Sequence, residues 1–463
     1  MIQPFYTFKN EFEKLVLTLL EKKCVSNSKR FYLKREALVH AFISNLSSEF
    51  DAYAPDGIEN NKSTYIQVID SQDRNKIRDE INKRIRSFGF MFEAFYIVVV
   101  PLREYQINAV NTDYIYSRNI EVWGIEKIDE LAREYPVDYA SLVYYYNVIR
   151  SRPKSPLNIP RVTPPVVEQY RKNNDDLVKE LKQAMNIRKV SLILGCGVSM
   201  PYNSKMDWDK LVNSMYDLLS DEHKFSVEGK DTAFKLIGSD NLSKSQYVKM
   251  VLDKNYLNAV YKTIYSGFNV KMLNKQTSLF SCADLIEKTR LVKKVITYNY
   301  DDFLELLLKE RGVSYNSMYS INSALNNDLP IYHVHGYLPK NAEKLSAKEK
   351  GKRSQELVLT EDEYFKCYSN SLNWQVAVQL MTFKDDCCLL VGNSVTDFNE
   401  KKILHETIGS SSNRKARFAI IPMNKLSNED LLKIYSYFEN ELGVRIIWAD
   451  NVDDISNKVN SLL

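Results

Sequence analysis

Apolar residues in the C-terminal part of the chain follow two alternating patterns. Short apolar runs are typical of buried strands, whereas apolar residues spaced three and four positions apart are typical of helices. The strands predicted after residue 185 cover residues 190–194, 295–298, 331–334, 387–391, 417–421 and 444–448. Their alternation with helices predicts a parallel sheet that has helices on both faces.

Helical spacing fills most of the sequence between these strands. The predicted helices cover residues 165–184, 302–309, 360–381, 396–405 and 427–442. Two of them open with a capping box or a close variant, Thr360-x-x-Glu363 and Ser427-x-x-Asp430. Residues 208–290 are expected to be mainly helical and to form a smaller subdomain. The predicted fold class is therefore α/β, a Rossmann-like, three-layer, doubly wound parallel sheet with a helical subdomain.

The N-terminal part has a different pattern, and a proline-rich segment separates it from the rest. Predicted helices at 34–46 and 127–133 mix with predicted strands at 64–69, 94–102 and 120–123. Residues 151–165 hold five of the 13 prolines and read as an extended linker. We therefore expect a small α/β domain at 1–150, a linker at 151–165 and a larger domain at 166–463.

Composition excludes several classes of protein. The 463 residues carry a formal net charge of only +4, which gives no electrostatic case for a nucleic-acid or membrane partner. No apolar run is long enough to span a bilayer, and the N-terminus lacks the layout of a signal peptide. The six cysteines form no C-x-x-C pair, so we expect no zinc ribbon and no disulfide framework. A cytoplasmic protein is the expectation.

Candidate chemistry lies where five of the predicted strands end. The first strand runs into the segment Gly195-Cys196-Gly197-Val198-Ser199, where glycines permit close approach of a pyrophosphate. A tight turn that binds nothing is an equal alternative for this segment alone. The second strand ends in Thr297-Tyr298-Asn299-Tyr300-Asp301, with Glu305 further on. Asn299 and Asp301 suit ribose hydroxyls or a positioned water, and the alternative is that they cap the next helix.

Two further strand ends carry polar residues. His333 and His335 stand two residues apart, so on a strand they would point to the same face. A histidine before glycine at a strand's carboxyl end is a candidate for proton transfer. Gly392-Asn393-Ser394, followed by Asp397, is either a ligand turn or a tight turn with a serine cap. The last strand and its loop, residues 445–450, are a candidate flank for an adenine.

Five motifs together resemble the sirtuin-like NAD hydrolase domains of bacterial antiphage defence. In chain order they are Gly195-x-Gly197-Val198-Ser199, Asp207-Trp208, Thr297-x-Asn299-Tyr300-Asp301, His335-Gly336 and Gly392-x-Ser394-x-x-Asp397. The resemblance covers about residues 185–463. It implies a three-layer domain with a helical subdomain that binds NAD as its substrate and uses no metal.

The resemblance also implies roles for individual residues. Gly195, Gly197 and Ser199 would contact the phosphates of NAD. Asn299 and Asp301 would hold the nicotinamide ribose and order the nucleophile, and His335 would act as general base on a ribose hydroxyl or a water. Gly392 and Ser394 would face the adenine-side ribose and phosphate. The other motif residues expected in the NAD site are Val198, Trp208, Thr297, Tyr300 and Asp397.

The sequence departs from the family pattern at two places. Cys196 replaces the usual alanine, and Asn203-Ser204-Lys205-Met206 stands where relatives have a Gly-Ile-Pro loop that helps to close over NAD. Classical sirtuin deacetylases also carry a four-cysteine zinc module, and this sequence has no such spacing. The absence of that zinc module favours plain NAD hydrolysis over lysine deacylation.

The N-terminal domain has a fainter resemblance. Asp56-Gly57, eleven residues before Gln67-Val68-Ile69, with Glu36 upstream, resembles the restriction-endonuclease-like core. Active members need a Glu-x-Lys on the second strand, and Gln67 and Ile69 occupy those positions. The domain is therefore either a degenerate, inactive nuclease or an unrelated α/β interaction domain.

These observations favour one function and leave two alternatives. The favoured function is NAD hydrolysis to nicotinamide and ADP-ribose by the effector of an abortive-infection antiphage system. Since unrestrained hydrolysis would kill the host, we expect control by homo- or hetero-oligomerisation or by a partner such as a HerA-type ATPase or a nucleotide-processing protein. The alternatives are a non-catalytic sensor or scaffold that binds NAD or ADP-ribose and, third, a protein deacylase.

Overall fold

The computed structural model describes residues 11–34, 50–88, 95–108, 120–145, 163–238, 240–320, 328–341, 351, 353, 356–369, 373–408 and 417–463. The chain forms two compact units, one of residues 1–180 with 425–441 and one of residues 181–424 with 442–463. Most of the predicted linker, residues 151–162, lies outside the described residues, as does most of the predicted helix 34–46. The predicted domain limits therefore stay predictions.

The described strands and helices are numbered separately in chain order. The strands are β1 (Tyr32–Leu33), β2 (Ala52–Ala54), β3 (Thr64–Val68), β4 (Phe95–Val99), β5 (Ile120–Trp123), β6 (Val190–Leu194), β7 (Val292–Thr297), β8 (Tyr315–Met318), β9 (Leu329–His333), β10 (Cys387–Val391), β11 (Arg417–Pro422) and β12 (Arg445–Ala449). The helices are α1 (Glu11–Ser26), α2 (Arg74–Phe88), α3 (Glu104–Asn108), α4 (Ile125–Glu134), α5 (Pro136–Tyr144), α6 (Val167–Arg188), α7 (Trp208–Asp217), α8 (Lys230–Ile237), α9 (Asn241–Leu252), α10 (Tyr256–Ile264), α11 (Ser278–Thr289), α12 (Phe303–Glu310), α13 (Glu361–Tyr368), α14 (Trp374–Asp385), α15 (Phe398–Thr407), α16 (Asn428–Glu441) and α17 (Asp454–Asn460).

The first unit contains a five-stranded mixed sheet in the order β1-β2-β3-β4-β5. The first three strands form an antiparallel meander, and β4 and β5 continue it in parallel. Every residue of β3 and β4 is buried, and β4 reads as a continuous apolar run. Helix α16 belongs to this unit and packs on α5, where the Ser436 hydroxyl donates to the Ser141 carbonyl at 3.0 Å.

The residues of the nuclease-like motif lie at opposite ends of the β2–β3 hairpin. The register pairs Ala54 with Thr64, so Asp56 follows that end, whereas Gln67 lies beyond the other end of the paired residues. The guanidinium of Arg30 binds the Asp56 carboxylate through Nε at 2.9 Å and Nη2 at 2.7 Å. Gln67 is buried and accepts a bond from the Tyr96 hydroxyl at 3.0 Å. Asp56 and Gln67 therefore do not form a shared site, and the two interpretations of this domain stay predictions.

The second unit is built on a seven-stranded sheet in the order β12-β11-β10-β6-β7-β9-β8. All of its strand pairs are parallel, and helices flank the sheet. From β6 the chain moves outward through β7 to the β9–β8 edge, then returns to β10 on the other side of β6. The predicted α/β, doubly wound, Rossmann-like fold is confirmed. Ligands of such folds bind at the carboxyl ends of the strands where the winding reverses, here β6 and β10.

Among the differences from the predicted elements, two involve the segments on either side of β9. The predicted helix 360–381 is two helices, α13 and α14, because Asn373 takes an extended conformation and precedes the second helix. Strand β8 was not predicted, since its sequence Tyr-Asn-Ser-Met has no apolar run and it lies at the edge of the sheet. The capping box of Thr360 and Glu363 is formed.

The segment between β6 and β7 is mainly helical, as predicted, and has its own apolar core. Leu211 and Met215 of α7 and Val260 and Ile264 of α10 are buried there. Leu359, from the segment that follows β9, packs into the same core. The subdomain is therefore tied to the loops at the carboxyl ends of the sheet. No helix within the described ranges combines the length and apolarity needed to cross a membrane.

A buried arginine holds the helices on one side of the second unit. Arg417 opens β11 and is only 2% exposed. Its guanidinium donates to the carbonyls of Phe383 at 3.0 Å, Leu404 at 3.1 Å and Leu442 at 3.2 Å, and to the Thr407 hydroxyl at 2.7 Å. Burial lowers the pKa of Arg417 to about 10. The C-terminal turns of α14 and α15 are thus fixed to the start of β11.

We expect the substitution Arg417→Met to destabilise the second unit. The carbonyls of Phe383 and Leu442 would keep their burial and lose their donor, and each such unsatisfied group costs about 1–3 kcal/mol. The free energy of unfolding, measured by urea denaturation, should fall by about 2–4 kcal/mol. Lys402→Met, on the exposed face of α15, is the control and should leave the midpoint unchanged. Equal midpoints for both variants would contradict this role.

Candidate active site

Two loops meet backbone to backbone where β6 and β10 end. The Gly195 amide donates to the Val391 carbonyl at 3.2 Å, and the Gly197 amide donates to the Gly392 carbonyl at 2.9 Å. A Cβ on Gly195 would lie 2.5 Å from the Gly392 oxygen, and a Cβ on Gly197 would lie 2.8 Å from it. The two glycines are therefore required by the packing of the loops against each other.

The turn that follows β10 is strained. Gly392 has φ +61°, and a Cβ there would lie 2.5 Å from the Val198 nitrogen. Val395, a buried β-branched residue, has φ +51°, a conformation that such residues rarely adopt. The Asn393 side chain supports the turn by accepting the Val395 amide at 2.7 Å. Strain of this kind is typical of functional sites.

Asn299 has all but one of its hydrogen-bonding groups satisfied. Its amide N–H donates to Thr297 Oγ1 at 3.1 Å, and its carbonyl faces His333 Nδ1 at 3.1 Å. Its side-chain Nδ2 donates to the Gly195 carbonyl at 3.1 Å and to Ser199 Oγ at 2.9 Å. The remaining oxygen, Oδ1, is buried and has no partner among the described residues. Asn299 is not a helix cap, because its side chain reaches back to the β6 loop.

One carboxyl oxygen of Asp301 accepts a hydrogen bond from a nearby main-chain amide, and the other has no partner among the described residues. Its Oδ1 accepts the Phe303 amide at 3.0 Å, so the predicted capping alternative accounts for half of the carboxyl group. Its Oδ2 is buried without a partner in the described part of the chain. Burial raises the pKa of Asp301 to about 7, against the opposing effect of the Phe303 amide. A buried carboxyl group with a free oxygen at a strand end is what a ligand site requires.

These two side chains line a small cavity at the carboxyl ends of β6 and β7. The other residues that line it are Leu194, Ser199, Leu279, Thr297, Leu304, Glu305 and His333. The structure thus brings together four of the predicted site residues, Ser199, Thr297, Asn299 and Asp301. Leu279 and Leu304 come from helices and carry no motif that sequence reasoning would recognise.

His333 and His335 do not share an environment, and the prediction that they point to the same face of a strand is wrong. Strand β9 ends at His333, and His335 lies in the turn that follows. His333 Nε2 lies 2.6 Å from Glu305 Oε1. His335 Nε2 instead lies 3.0 Å from the Tyr368 hydroxyl. The alternation of faces holds only while the chain remains extended, and it stops at the turn.

His335 is held in an aromatic pocket. Its ring lies edge-on to the rings of Tyr298, Tyr364 and Tyr368, at centroid distances of 5.0, 6.0 and 6.3 Å. Burial lowers the pKa of His335, and the nearby carboxylate of Asp397 opposes this shift only in part. At neutral pH the imidazole is therefore neutral, the form that can accept a proton.

The remaining predicted residues have specific structural contacts. Tyr300 donates its hydroxyl to the Val358 carbonyl at 2.8 Å, and Asp397 caps α15 by accepting the amides of Asn399 and Glu400. Ser394 is exposed and lies 3.0 Å from the Thr396 hydroxyl. The tight-turn alternative is met after β10, but Asp397 and not Ser394 caps the helix, and the ligand roles of the three residues stay predictions.

Trp208 lies at the start of α7, which Asp207 caps by accepting the Lys210 amide at 3.3 Å. The Trp208 ring stacks on the Tyr364 ring, with 6.4 Å between the ring centroids. The Trp208 Nε1 is buried without a partner in the ranges the structure describes. The unusual loop before it is anchored by Asn203, whose Nδ2 donates to the Thr263 carbonyl at 2.9 Å. The loop that departs from the family pattern is thus an ordered part of the subdomain.

Sequence reasoning missed a buried carboxyl group, Glu400, beside Tyr298 in the aromatic pocket of His335. Glu400 is 1% exposed and accepts the Asn393 amide at 2.7 Å. Burial, together with the charge of Asp397, raises the pKa of Glu400 to about 8. The neighbouring Tyr298 hydroxyl donates to Gln379 Oε1 at 2.7 Å. Glu400 and Gln379 lie on helices with no motif, and the only available signal was the spacing of Glu400 from Asp397.

The predicted adenine flank lies away from the glycine loops. Residues 445–449 form β12 at the edge of the sheet, and β11 and β10 separate it from β6. All five of its residues are buried, including Trp448. This strand contributes to the core and is not adjacent to the cavity.

We expect Gly197→Ala to displace the β6 loop. The added Cβ would meet only backbone atoms of Gly392, which cannot move as a flexible side chain does. The thermal midpoint of the second unit should fall by several degrees, since about 1 kcal/mol corresponds to roughly 2–4 °C in a domain of this size. Gly351→Ala is the control, because a Cβ there meets nothing within 4 Å. A Gly197→Ala midpoint equal to that of the control would contradict the packing requirement.

Comparison with known families adds to this geometry. Residues 293–447 match the SIR2-like domain family. The match runs from β7 into β12 and includes Asn299, Asp301, His335 and Gly392, but not the β6 loop or Trp208. No curated protein matches the chain. Domains of this family use NAD, so this part of the second unit is similar to NAD-using domains.

Proposed function

We propose that this protein hydrolyses NAD to nicotinamide and ADP-ribose. The observation that carries the proposal is the pair of buried oxygens, Asn299 Oδ1 and Asp301 Oδ2, left without partners in one cavity. An unsatisfied buried acceptor costs about 1–3 kcal/mol, and a ligand that donates hydrogen bonds to both oxygens recovers that free energy. NAD offers such donors in its ribose hydroxyls and its carboxamide.

The proposed reaction breaks the bond between the nicotinamide nitrogen and C1 of its ribose. The electron pair of this bond leaves with nicotinamide, and C1 takes on the character of an oxocarbenium ion. A water adds to C1 and releases its proton to a base. Asn299 Oδ1 is placed to accept from a hydroxyl or from that water, and ionised Asp301 stabilises the developing positive charge.

His335 is the proposed general base. Its neutral imidazole is able to accept a proton from a ribose hydroxyl or from the water. It does not line the cavity of Asn299 and Asp301, and its action on a ribose hydroxyl or on the water is the role that the motif resemblance implies. The phosphates and the adenine-side ribose are assigned to the loops around Gly195, Gly197 and Gly392, as the motif order implies.

The proposed biological role is that of an effector in abortive antiphage defence, acting in the cytoplasm. The support is the motif resemblance, together with the harm that constant NAD hydrolysis would do to a host. We therefore propose control by assembly or by a protein partner, with a HerA-type ATPase or a nucleotide-processing protein as the kinds to test.

The first test follows free nicotinamide when purified protein is incubated with NAD, alone and with the products of neighbouring genes. Asn299→Ala removes the oxygen that has no partner and should lower the rate at least about 100-fold. Asn457→Ala, on an exposed helix position, is the matched control and should keep the full rate. No nicotinamide under any condition, with NAD still bound, would favour a sensor that does not turn NAD over.

The second test is the pH dependence of the reaction. Asp301, whose pKa is raised to about 7, is protonated below that pH and ionised above it. If its carboxylate stabilises the transition state, kcat/KM should rise as pH increases through about 7, and His335, already neutral there, adds no second step. In Asp301→Asn the rate should be low and flat over this range. A fall in kcat/KM through pH 7 would instead assign the protonated acid as the active form.

A further inference from the structure

His333 and Glu305 are the buried polar pair that the proposed reaction does not use directly. The side chains are 1% and 3% exposed, and both line the cavity of Asn299 and Asp301. Glu305 Oε1 lies 2.6 Å from His333 Nε2 and also accepts the Ser317 hydroxyl at 2.9 Å. The Tyr337 ring packs against the imidazole at 4.1 Å. Removing two such polar side chains from water costs desolvation free energy, so we expect the pair to have a specific role.

The proton positions on this pair follow from the partners. His333 Nδ1 faces the main-chain carbonyl of Asn299 at 3.1 Å, and a carbonyl only accepts hydrogen bonds. Nδ1 therefore carries a hydrogen. Nε2 and Glu305 Oε1 then share one proton, either as an imidazolium with a carboxylate or as a neutral imidazole with a carboxylic acid. Both arrangements keep the Nδ1–H directed at Asn299.

With the bond from His333 Nδ1 to the Asn299 carbonyl, every polar group of Asn299 except Oδ1 has a partner. Thr297 holds the amide N–H, and Gly195 and Ser199 hold Nδ2. His333 holds the carbonyl, so the residue is fixed through its main chain and its side chain. Each partner occupies a different group of Asn299, and only Oδ1 is left for a ligand.

We propose that His333 and Glu305 are positioning residues, which fix the Asn299 main chain so that Oδ1 stays directed into the site. The inference rests on the proposed function for its kinetic consequence only. Outer contacts of this type commonly change a site's activity by about 10- to 100-fold, and a displacement of about 1 Å has effects of similar size. Since neither side chain is proposed to bind the substrate's reacting atoms, their loss should act on kcat more than on KM.

The test compares two variants of His333. In His333→Leu, kcat for nicotinamide release should fall about 10- to 100-fold, while KM for NAD changes by less than about threefold. In His333→Asn the side-chain Nδ2 takes the place of Nδ1 as donor, and kcat should return to within about tenfold of the wild type. Equal kcat for the two variants, or an effect confined to KM, would overturn the inference.

A control separates positioning from general loss of stability. Asp386 is a buried carboxylate that pairs with Lys294 at 3.0 Å and accepts from Ser191 at 2.7 Å, at the amino ends of β6 and β10. Asp386→Asn removes a buried charge at the amino ends of the strands, opposite to the end that carries the cavity, and should leave kcat unchanged. A loss of kcat equal to that of His333→Leu would mean that any buried polar change in this unit has the same effect.

A second readout does not depend on turnover. Hydrogen–deuterium exchange of peptides that cover residues 297–303 should be faster in His333→Leu than in the wild type or in Asp386→Asn, because the Asn299 segment loses an anchor. If the wild type releases no nicotinamide, the proposed hydrolysis fails, while this exchange still decides the positioning role. Unchanged exchange in this segment would overturn it.

A pair of Glu305 variants decides the question if His333→Leu does not fold. The amide of Glu305→Gln can donate to His333 Nε2 and so preserve the Nδ1–H, whereas Glu305→Leu cannot. We expect exchange of residues 297–303 near the wild-type rate in the first and faster exchange in the second. Matching rates for the two variants would show that the His333 proton state does not hold Asn299.

Discussion

The site depends on one contact, the meeting of two backbones where β6 and β10 end. Gly195 and Gly197 lie so close to Gly392 that no side chain fits between the loops. The contact fixes the Gly195 carbonyl, which accepts from Asn299 at the end of β7. Three neighbouring strands are thus joined at their carboxyl ends, β10 to β6 through main-chain groups and β7 to β6 through the side chain of Asn299. A ligand at this edge meets groups whose positions are set before it arrives.

Buried carboxyl groups have different surroundings at the amino ends and at the carboxyl ends of the parallel strands. At the amino edge, the buried carboxylate of Asp386 is paired with Lys293 and Lys294, which lowers its pKa in spite of burial. At the carboxyl edge, Asp301 and Glu400 have no cationic partner among the described residues, and burial raises their pKa values to about 7 and about 8. Buried acids without a cationic partner reduce stability, and groups with such raised pKa values are enriched at functional sites.

Sequence patterns predicted the sheet better than the surroundings of the site. Apolar runs located the buried strands, but β8 was missed because its residues are polar, and α13 and α14 were merged because helical spacing continues across their junction. Asn299 and Asp301 were predicted because they follow a strand directly. Glu400 and Gln379 were not, since the facing of a helix toward a pocket depends on packing that no local pattern encodes. The periodicity of strands also gave no sign of the turn after His333, so His333 and His335 were wrongly predicted to share a face.

Helix α16 has a consequence for how the protein is made. The chain leaves the second unit after residue 424, contributes α16 to the first unit and returns at residue 442. During synthesis the first unit lacks this helix until residues 425–441 have left the ribosome, although its sheet is made much earlier. Its completion is therefore delayed until β11 exists, and no single cut in the chain separates the two units. The chain passes between the two units three times, at residues 180–181, 424–425 and 441–442.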